Sequence, residues 1–340
     1  MAARSSGRPT MNDVAADAGV SLKTVSRVVN NVTTVDPKIA ETVLSSIRKL
    51  GFRRNDVAAG LRAGGGTKTI GLLTADLANT FYTTLASAVV RVARVRGFQV
   101  IMASTEDDAE LEQSLALDLC QRRVSGLIVV PTSSDHGYLT PEVERGIAVV
   151  FVDRPGSGLD ADTVMVDNRD AARRAVEQLV AKGHRRIGLV MDSSGIYTFS
   201  ERLTGAREAI AAAGLEDDPA LVSDRAHSPE DAAVIVGRML DLDRPPTAAL
   251  CGNNRATIGV VEELGRRGVA LEVVGFDDFE MSRLLPQTVT IVDFDTVRLG
   301  TLAAERLLAR IDGARDAPST TLLPTHLVTR GGASSFSVPR

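Results

Sequence analysis

Two groups of side chains in this sequence have the types and spacing needed to recognise something. The first lies in Val20 to Asn31, VSLKTVSRVVNN, where helical period puts Leu22, Lys23 and Arg27 outward and Val25, Val28 and Val29 inward. A lysine or arginine on such a ridge can donate to guanine O6 and N7, a good bidentate pair giving about 1–3 kcal/mol of discrimination. Thr24, Ser26 and Asn30 beside them can donate to phosphate oxygens, which sets register without reading sequence. An amphipathic hairpin with a solvated face has the same pattern. The second group follows apolar runs: ADLANTFY after IGLLT, Asp153-Arg154 after AVVFV, Asp167-Asn168 after TVMV, Asn253-Asn254 after TAALCG, and Asp277-Asp278 after EVVGF. Their carboxylates and amides suit vicinal hydroxyls, and Phe81 or Phe199 can stack on a sugar face or a base. Any one of these residues serves equally as a strand-end cap or turn former.

The first group needs a small helical frame. Thr10 with Asp13 three residues on has capping-box spacing, Gly19 ends that helix, Ser21 N-caps the next, and Asp36-Pro37 and Gly51 bracket a third. Ala15, Gly19, Val25 and Val28 fall where a helix-turn-helix needs a small contact, a left-handed turn and branched packing residues. Residues 1–64 carry ten Lys and Arg against five Asp and Glu, +5, which leaves −9 for the rest of a chain whose net charge is −4. A basic head on an acidic body directs a polyanion to the head alone.

The second group needs parallel sheets. Arg62 to Thr69, RAGGGTKT, reads as a flexible joint. Beyond it IGLLT, FQVIMAS, GLIVVP, AVVFVD, RIGLVMD, TAALCG and EVVGFDD alternate with helical stretches such as LASAVVRVARVRG, the grammar of βαβ units covered on both faces. Some 270 residues is large for one sheet, so two similar lobes are expected, and a cleft between them collects the carboxyl ends of both sets of strands.

Several function classes find no support. There is no apolar leader among the first thirty residues and no apolar run of membrane-spanning length, so a cytoplasmic protein is expected rather than an exported sugar-binding one. Cys120 and Cys251 read as separate buried thiols. No Gly-x-Gly-x-x-Gly follows a strand, and neither a Walker loop nor a Gly-x-Ser-x-Gly elbow is present. His136, His184, His227 and His326 stand at no metal-ligand spacing. Catalysis, a metal and a cofactor are therefore not expected.

Longer motifs carry a resemblance. TMNDVAADAGVSLKTVSRVVNN followed by VDPKIAETVLSSIRKLGFRRN resembles the headpiece of the lactose/purine repressor (LacI/GalR) family of bacterial transcriptional regulators. TIGLLTADLANTFY, RRVSGLIVVP, VVFVDR, VDNRDAARRAVEQLVAKGHRRIGLV, ERLTGAREAI, VVGFDD and LVTRGGAS stand in that family's order, so the resemblance covers nearly the whole chain. It implies an all-α helix-turn-helix headpiece at 1–53 and a hinge and linker at 54–69. The α/β body at 70–340 would be a two-lobed type I periplasmic-binding-protein-like fold with parallel sheets. The implied lobes are about 70–167 plus 294–323, and 168–293 plus 324–340.

The resemblance further implies a homodimer on a roughly palindromic double-stranded operator, with no membrane partner. Helices within 81–96 and 108–121 would supply part of the dimer surface. Ser21, Leu22, Lys23, Thr24, Ser26, Arg27 and Asn30 would lie at the DNA, with Leu22, Lys23 and Arg27 at base-contacting positions. Asn55 to Leu61 matches a hinge that is helical only on DNA, and Leu61 the leucine that wedges into a minor-groove step. Here Gly60 precedes that leucine and costs about 1 kcal/mol of helix relative to alanine, so this hinge should fold less readily.

Phe81, Asp153, Asp167, Phe199, Arg202, Asn253 and Asp277 match effector-pocket positions, and the planar fork of Arg202 suits ligand oxygens. A sugar or sugar derivative is the first expectation, a nucleobase or nucleoside the second. NTFY in place of Asn-Pro-Phe-Phe, Asn254 in place of aspartate and Asp293 in place of glutamine leave the ligand unnamed. A repressor is expected, and an activator would carry the same head and pocket.

Overall fold

The computed structural model describes residues 9–30, 32, 34–52 and 68–332. It falls into two compact units, residues 1–67 and 68–340. In the first, helices α1 (Met11–Ala18), α2 (Leu22–Val29) and α3 (Pro37–Leu50) follow each other closely. Thr10 and Asp13 form a reciprocal capping box, and Gly19 takes the left-handed conformation that releases the chain into the turn. Ser21 Oγ accepts from Thr24 N to start α2. Asp36 and Pro37 open α3 and Gly51 closes it. A small core of Val14, Ala15, Val25, Val28 and Val43 is sealed by Met11, Ile47, Leu50 and Phe52.

The second unit begins β1 (Thr69–Thr74), α4 (Thr80–Val95), β2 (Gln99–Ser104), α5 (Ala109–Gln121), β3 (Gly126–Val129), α6 (Thr140–Glu144), β4 (Ala148–Val152), β5 (Asp162–Val166). It continues α7 (Asn168–Ala181), β6 (Ile187–Val190), α8 (Tyr197–Ala212), β7 (Val222–Ser223), α9 (Pro229–Leu240), β8 (Ala248–Cys251), α10 (Asn254–Arg267), β9 (Glu272–Phe276), β10 (Val289–Asp293). Last come α11 (Thr296–Ile311), β11 (Thr320–Leu323) and β12 (His326–Arg330). The strands form two six-stranded sheets, ordered β11-β5-β4-β3-β1-β2 and β12-β10-β9-β8-β6-β7.

Each sheet has helices on both faces, and strand alternation divides its side chains between two cores. In β1, Ile70 and Leu72 enter one core while Leu73 enters the other; in β8, Leu250 and Cys251 separate in the same way. Both cysteines are buried free thiols.

The chain crosses between lobes after β5, after β10 and after β11. The third crossing, residues 324–325, holds no helix to turn the chain back, so β12 enters the second sheet antiparallel to β10. Every other strand pair is parallel, as the βαβ grammar predicts. Small residues set the helix spacing: a Cβ on Gly205 of α8 would sit 2.0 Å from Arg169 O of α7, and one on Gly300 of α11 2.5 Å from Leu85 O of α4.

Candidate functional site

In the head, α2 buries Val25 and Val28 and leaves Leu22, Lys23 and Arg27 exposed. Leu22 is 46% accessible. Lys23 makes no hydrogen bond or ion pair among the described residues, while Arg27 Nη2 donates to Thr34 Oγ1 at 2.6 Å, which steadies the guanidinium across the base of the helix. The polar positions are less free than their types suggest. The Thr24 and Ser21 hydroxyls lie 2.9 Å apart, and Asn30 Nδ2 donates back to Ser26 O at 2.7 Å. Ser21 is first of all the helix cap. Asn55 and Leu61 lie outside the described residues.

In the body, loops at the carboxyl ends of strands in both sheets enclose a cavity of about 660 Å³. Ala75, Asp76 and Asn79 follow β1, Glu106 and Asp107 follow β2, and Thr132 and Arg154 follow β3 and β4. From the other lobe come Asp192 and Ser193 after β6, Phe199 at the start of α8, His227 after β7, and Asn253 and Arg255 after β8. This is the place that open α/β sheets reserve for ligands, beside the reversal of strand order, here supplied twice. Two side chains tie the lobes across it: Asn254 Nδ2 donates to Asn79 Oδ1 at 2.9 Å, and Arg255 Nη1 to Asp76 Oδ2 at 2.7 Å.

Asp153 and Asp277 occupy equivalent corners, each just after the third strand of its sheet, with φ of 70° and 64°. Aspartate tolerates that left-handed conformation better than most residues. Both are buried. Burial pushes the Asp153 carboxyl up to about 6, more than Arg154 and Arg202 pull it down. Asp277 is raised for the same reason against the pull of Arg202, and its Oδ1 is buried with no hydrogen-bond partner among the described residues.

Arg202 of α8 is buried within the second lobe. Its Nε donates to Asn168 Oδ1 at 2.8 Å, its Nη1 to Gly252 O at 2.5 Å, and the guanidinium lies 4.1 Å from the Phe276 ring centroid and 3.5 Å from the Asp277 carboxylate. Arg154 is its counterpart in the first lobe. It donates to Asp107 at 2.7 Å, to Pro131 O at 3.1 Å and to the Tyr82 hydroxyl at 3.1 Å.

The seven effector candidates therefore separate. Phe199 and Asn253 line the cavity; Asp153, Arg202 and Asp277 are buried outside its lining, Asp153 beside the lining Arg154 and Asp277 beside Arg202. Asp167 is exposed and caps α7 by accepting from Asp170 N, the turn-former alternative. Phe81 turns into the core against Phe294, with ring centroids 5.9 Å apart, and its neighbour Tyr82 lines the cavity instead. Asp76, Asn79 and Tyr82 come from the ADLANTFY strand end that the sequence offers, whereas Glu106, Asp107, Asp192, His227 and Arg255 lie outside the sequence-based candidates, although the strand-end rule applies equally after FQVIMAS and RIGLVMD.

A helix-turn-helix unit joined to a two-lobed α/β body with an interlobe cavity defines the class of ligand-binding DNA-associated regulators. Residues 10–55 match the model of the bacterial regulatory proteins of the lacI family, and residues 67–330 that of the periplasmic binding proteins and sugar-binding domain of the LacI family. The chain belongs to the LacI family of bacterial regulatory proteins.

It is 31% identical to the HTH-type transcriptional regulator CelR of Thermobifida fusca, over 95% of this chain and 98% of that one. Among solved structures it resembles the Lac repressor dimer bound to operator and the anti-inducer ONPF, with a TM-score of 0.82, 26% identity and coverage of 96% and 100%. A CelR–cellobiose complex matches with a TM-score of 0.69, 29% identity and the same coverage.

Proposed function

We propose that this protein is a ligand-controlled repressor that binds a palindromic operator as a homodimer and works in the cytoplasm at the nucleoid. One observation carries the reading: the chain that presents Leu22, Lys23 and Arg27 on an exposed helix also holds a cavity lined from both lobes and tied across by Asn254 and Arg255. A small molecule there touches both lobes, so it changes the free energy of their closure. Linkage requires that operator affinity respond in return.

In this reading residues 1–53 meet the major groove, 54–69 form the hinge with Asn55 and Leu61, and 70–340 bind effector and partner. Lys23 and Arg27 supply hydrogen bonds to bases, Leu22 an apolar contact, and Ser21, Thr24, Ser26 and Asn30 approach phosphates. The dimer forms through α4, α5 and the edge strand β2, which expose Val90, Leu111, Ile101 and Met102. The effector is a sugar or sugar derivative. The CelR structure solved with cellobiose and the Lac repressor solved with operator and ONPF support both halves by likeness.

Selection of bound fragments from the source genome with full-length protein tests this. Two-fold symmetric sites are expected, with affinity falling steeply as salt rises because several phosphate contacts release counterions. A monomer at working concentration, or undiminished binding after removal of residues 1–64, refutes it.

A further inference from the structure

We propose that the interlobe cavity selects an uncharged polyhydroxylated ligand and rejects phosphorylated and carboxylated analogues, because each guanidinium reaching it among the described residues already holds a carboxylate of the wall. The inference rests on reading this cavity as the effector site. Charge decides it. Asp76, Glu106, Asp107 and Asp192 line the space, against Arg154 and Arg255 with His227. No lysine lines it among the described residues.

Both arginines are already charge-paired with carboxylates of the wall. Arg154 spends Nη1 on Asp107 and Pro131 O and Nη2 on the Tyr82 hydroxyl, and its Nε lies 3.6 Å from the Asp153 carboxylate. Arg255 is held by Asp76 at 2.7 Å. The His227 ring is hydrogen-bonded to Asp192 through Nδ1. Arg202, buried outside the lining, is tied to Asn168, Gly252 O and Asp277. An incoming phosphate would meet surplus negative charge, with the charge of each lining guanidinium already balanced by a wall carboxylate, in a partly enclosed site where screening is weak.

Hydroxyl groups meet the opposite situation. Four lining carboxylates accept, Asn79 and Asn253 lie between them, and Asn253 commits its Oδ1 to Ala256 N, leaving its Nδ2 free among the described residues. Phe199 offers an apolar wall for a C–H face. The discrimination is built partly from repulsion, the way sites reject close analogues.

The test uses the full-length protein in two arms. The first compares matched sugars by thermal shift at constant ionic strength: glucose, glucose 6-phosphate and glucuronate, then cellobiose and its 6-phosphate. For any set that binds, the uncharged member should bind roughly tenfold or more tightly than the anion; equal or tighter binding of the anion overturns the proposal. The second arm needs no known effector. Titration calorimetry with inorganic phosphate should show no saturable binding to the wild type, and saturable binding to Asp107→Asn, in which Arg154 is released.

Asp107 is partly exposed, so its replacement should leave the fold intact, and the ligand-free melting temperature checks this. Saturable phosphate binding by the wild type overturns the proposal, and so does its absence from a folded Asp107→Asn. If the phosphate arm behaves as expected while no sugar binds, the effector reading fails and the exclusion of anions stands.

Discussion

Replacing Asp153 by asparagine should stabilise the ligand-free body. Asparagine has nearly the shape of a protonated aspartate, so the substitution removes the cost of ionising this carboxyl and little else. That cost follows from the shift from the ordinary 3.8 to about 6 in the folded chain. At 1.36 kcal/mol per pKa unit, the ionised group costs the fold about 3 kcal/mol. The sign follows from linkage. A carboxyl whose pKa is raised by folding supports the native state fully below the unfolded value, and that support is lost as pH rises through the window from about 4 to 6.

The gain from Asp153→Asn should therefore be about 3 kcal/mol near pH 7.5 and fall to about 1 kcal/mol near pH 4.5. The chain has no tryptophan, so urea unfolding of the body is best followed by far-ultraviolet circular dichroism. A mutant that is less stable at both pH values by the same amount would refute the reasoning. It would mean that attraction to Arg154 and Arg202 outweighs burial. The same substitution removes an acceptor next to the cavity, so effector response should weaken as the apo body strengthens.

Gly205→Ala should destabilise the second lobe by about 1–3 kcal/mol or more, because the added methyl meets the backbone carbonyl of Arg169 rather than a yielding side chain; the urea midpoint reads this. Arg255→Ala removes a half-exposed ion pair across the cavity, about 1 kcal/mol at most, so effector release should quicken by no more than about fivefold in stopped flow. Lys23→Ala should relax base preference at one operator position and weaken binding by about 1–3 kcal/mol in a salt-controlled titration. Gly60→Ala should tighten operator binding by favouring a helical hinge; equal or weaker affinity at fixed salt would count against it.

Local rules made the head and most strands legible. Caps at Thr10, Ser21 and Asp36 and stops at Gly19 and Gly51 depend on neighbours within four residues, and all five hold. The strands missed, β7, β10, β11 and β12, are short or only half-apolar, and β12 owes its direction to a crossing that no local pattern records. The site was harder for the same reason. Phe81 and Tyr82 are adjacent at the start of α4, and the position of Phe294, more than two hundred residues on, sends the first into the core. Asp167 and Asn253 both cap helices, yet Asn253 alone also lines the cavity. Whether Arg154 is free or quenched depends on Asp107, which no spacing links to it.

The paired corners at Asp153 and Asp277 give a ligand a means to act on the closure of this body. Duplicate positions in duplicate sheets bring two carboxylates to the interlobe boundary, and Arg202 satisfies just one oxygen of Asp277 directly. Opening the lobes would let water reach the unpartnered Asp277 Oδ1 and the disfavoured Asp153 carboxylate. A ligand hydroxyl would do the same while the lobes stay shut. Water and ligand then compete to relieve one electrostatic cost, and they do so in different lobe arrangements. Such a difference would convert occupancy of the cavity into a change of conformation.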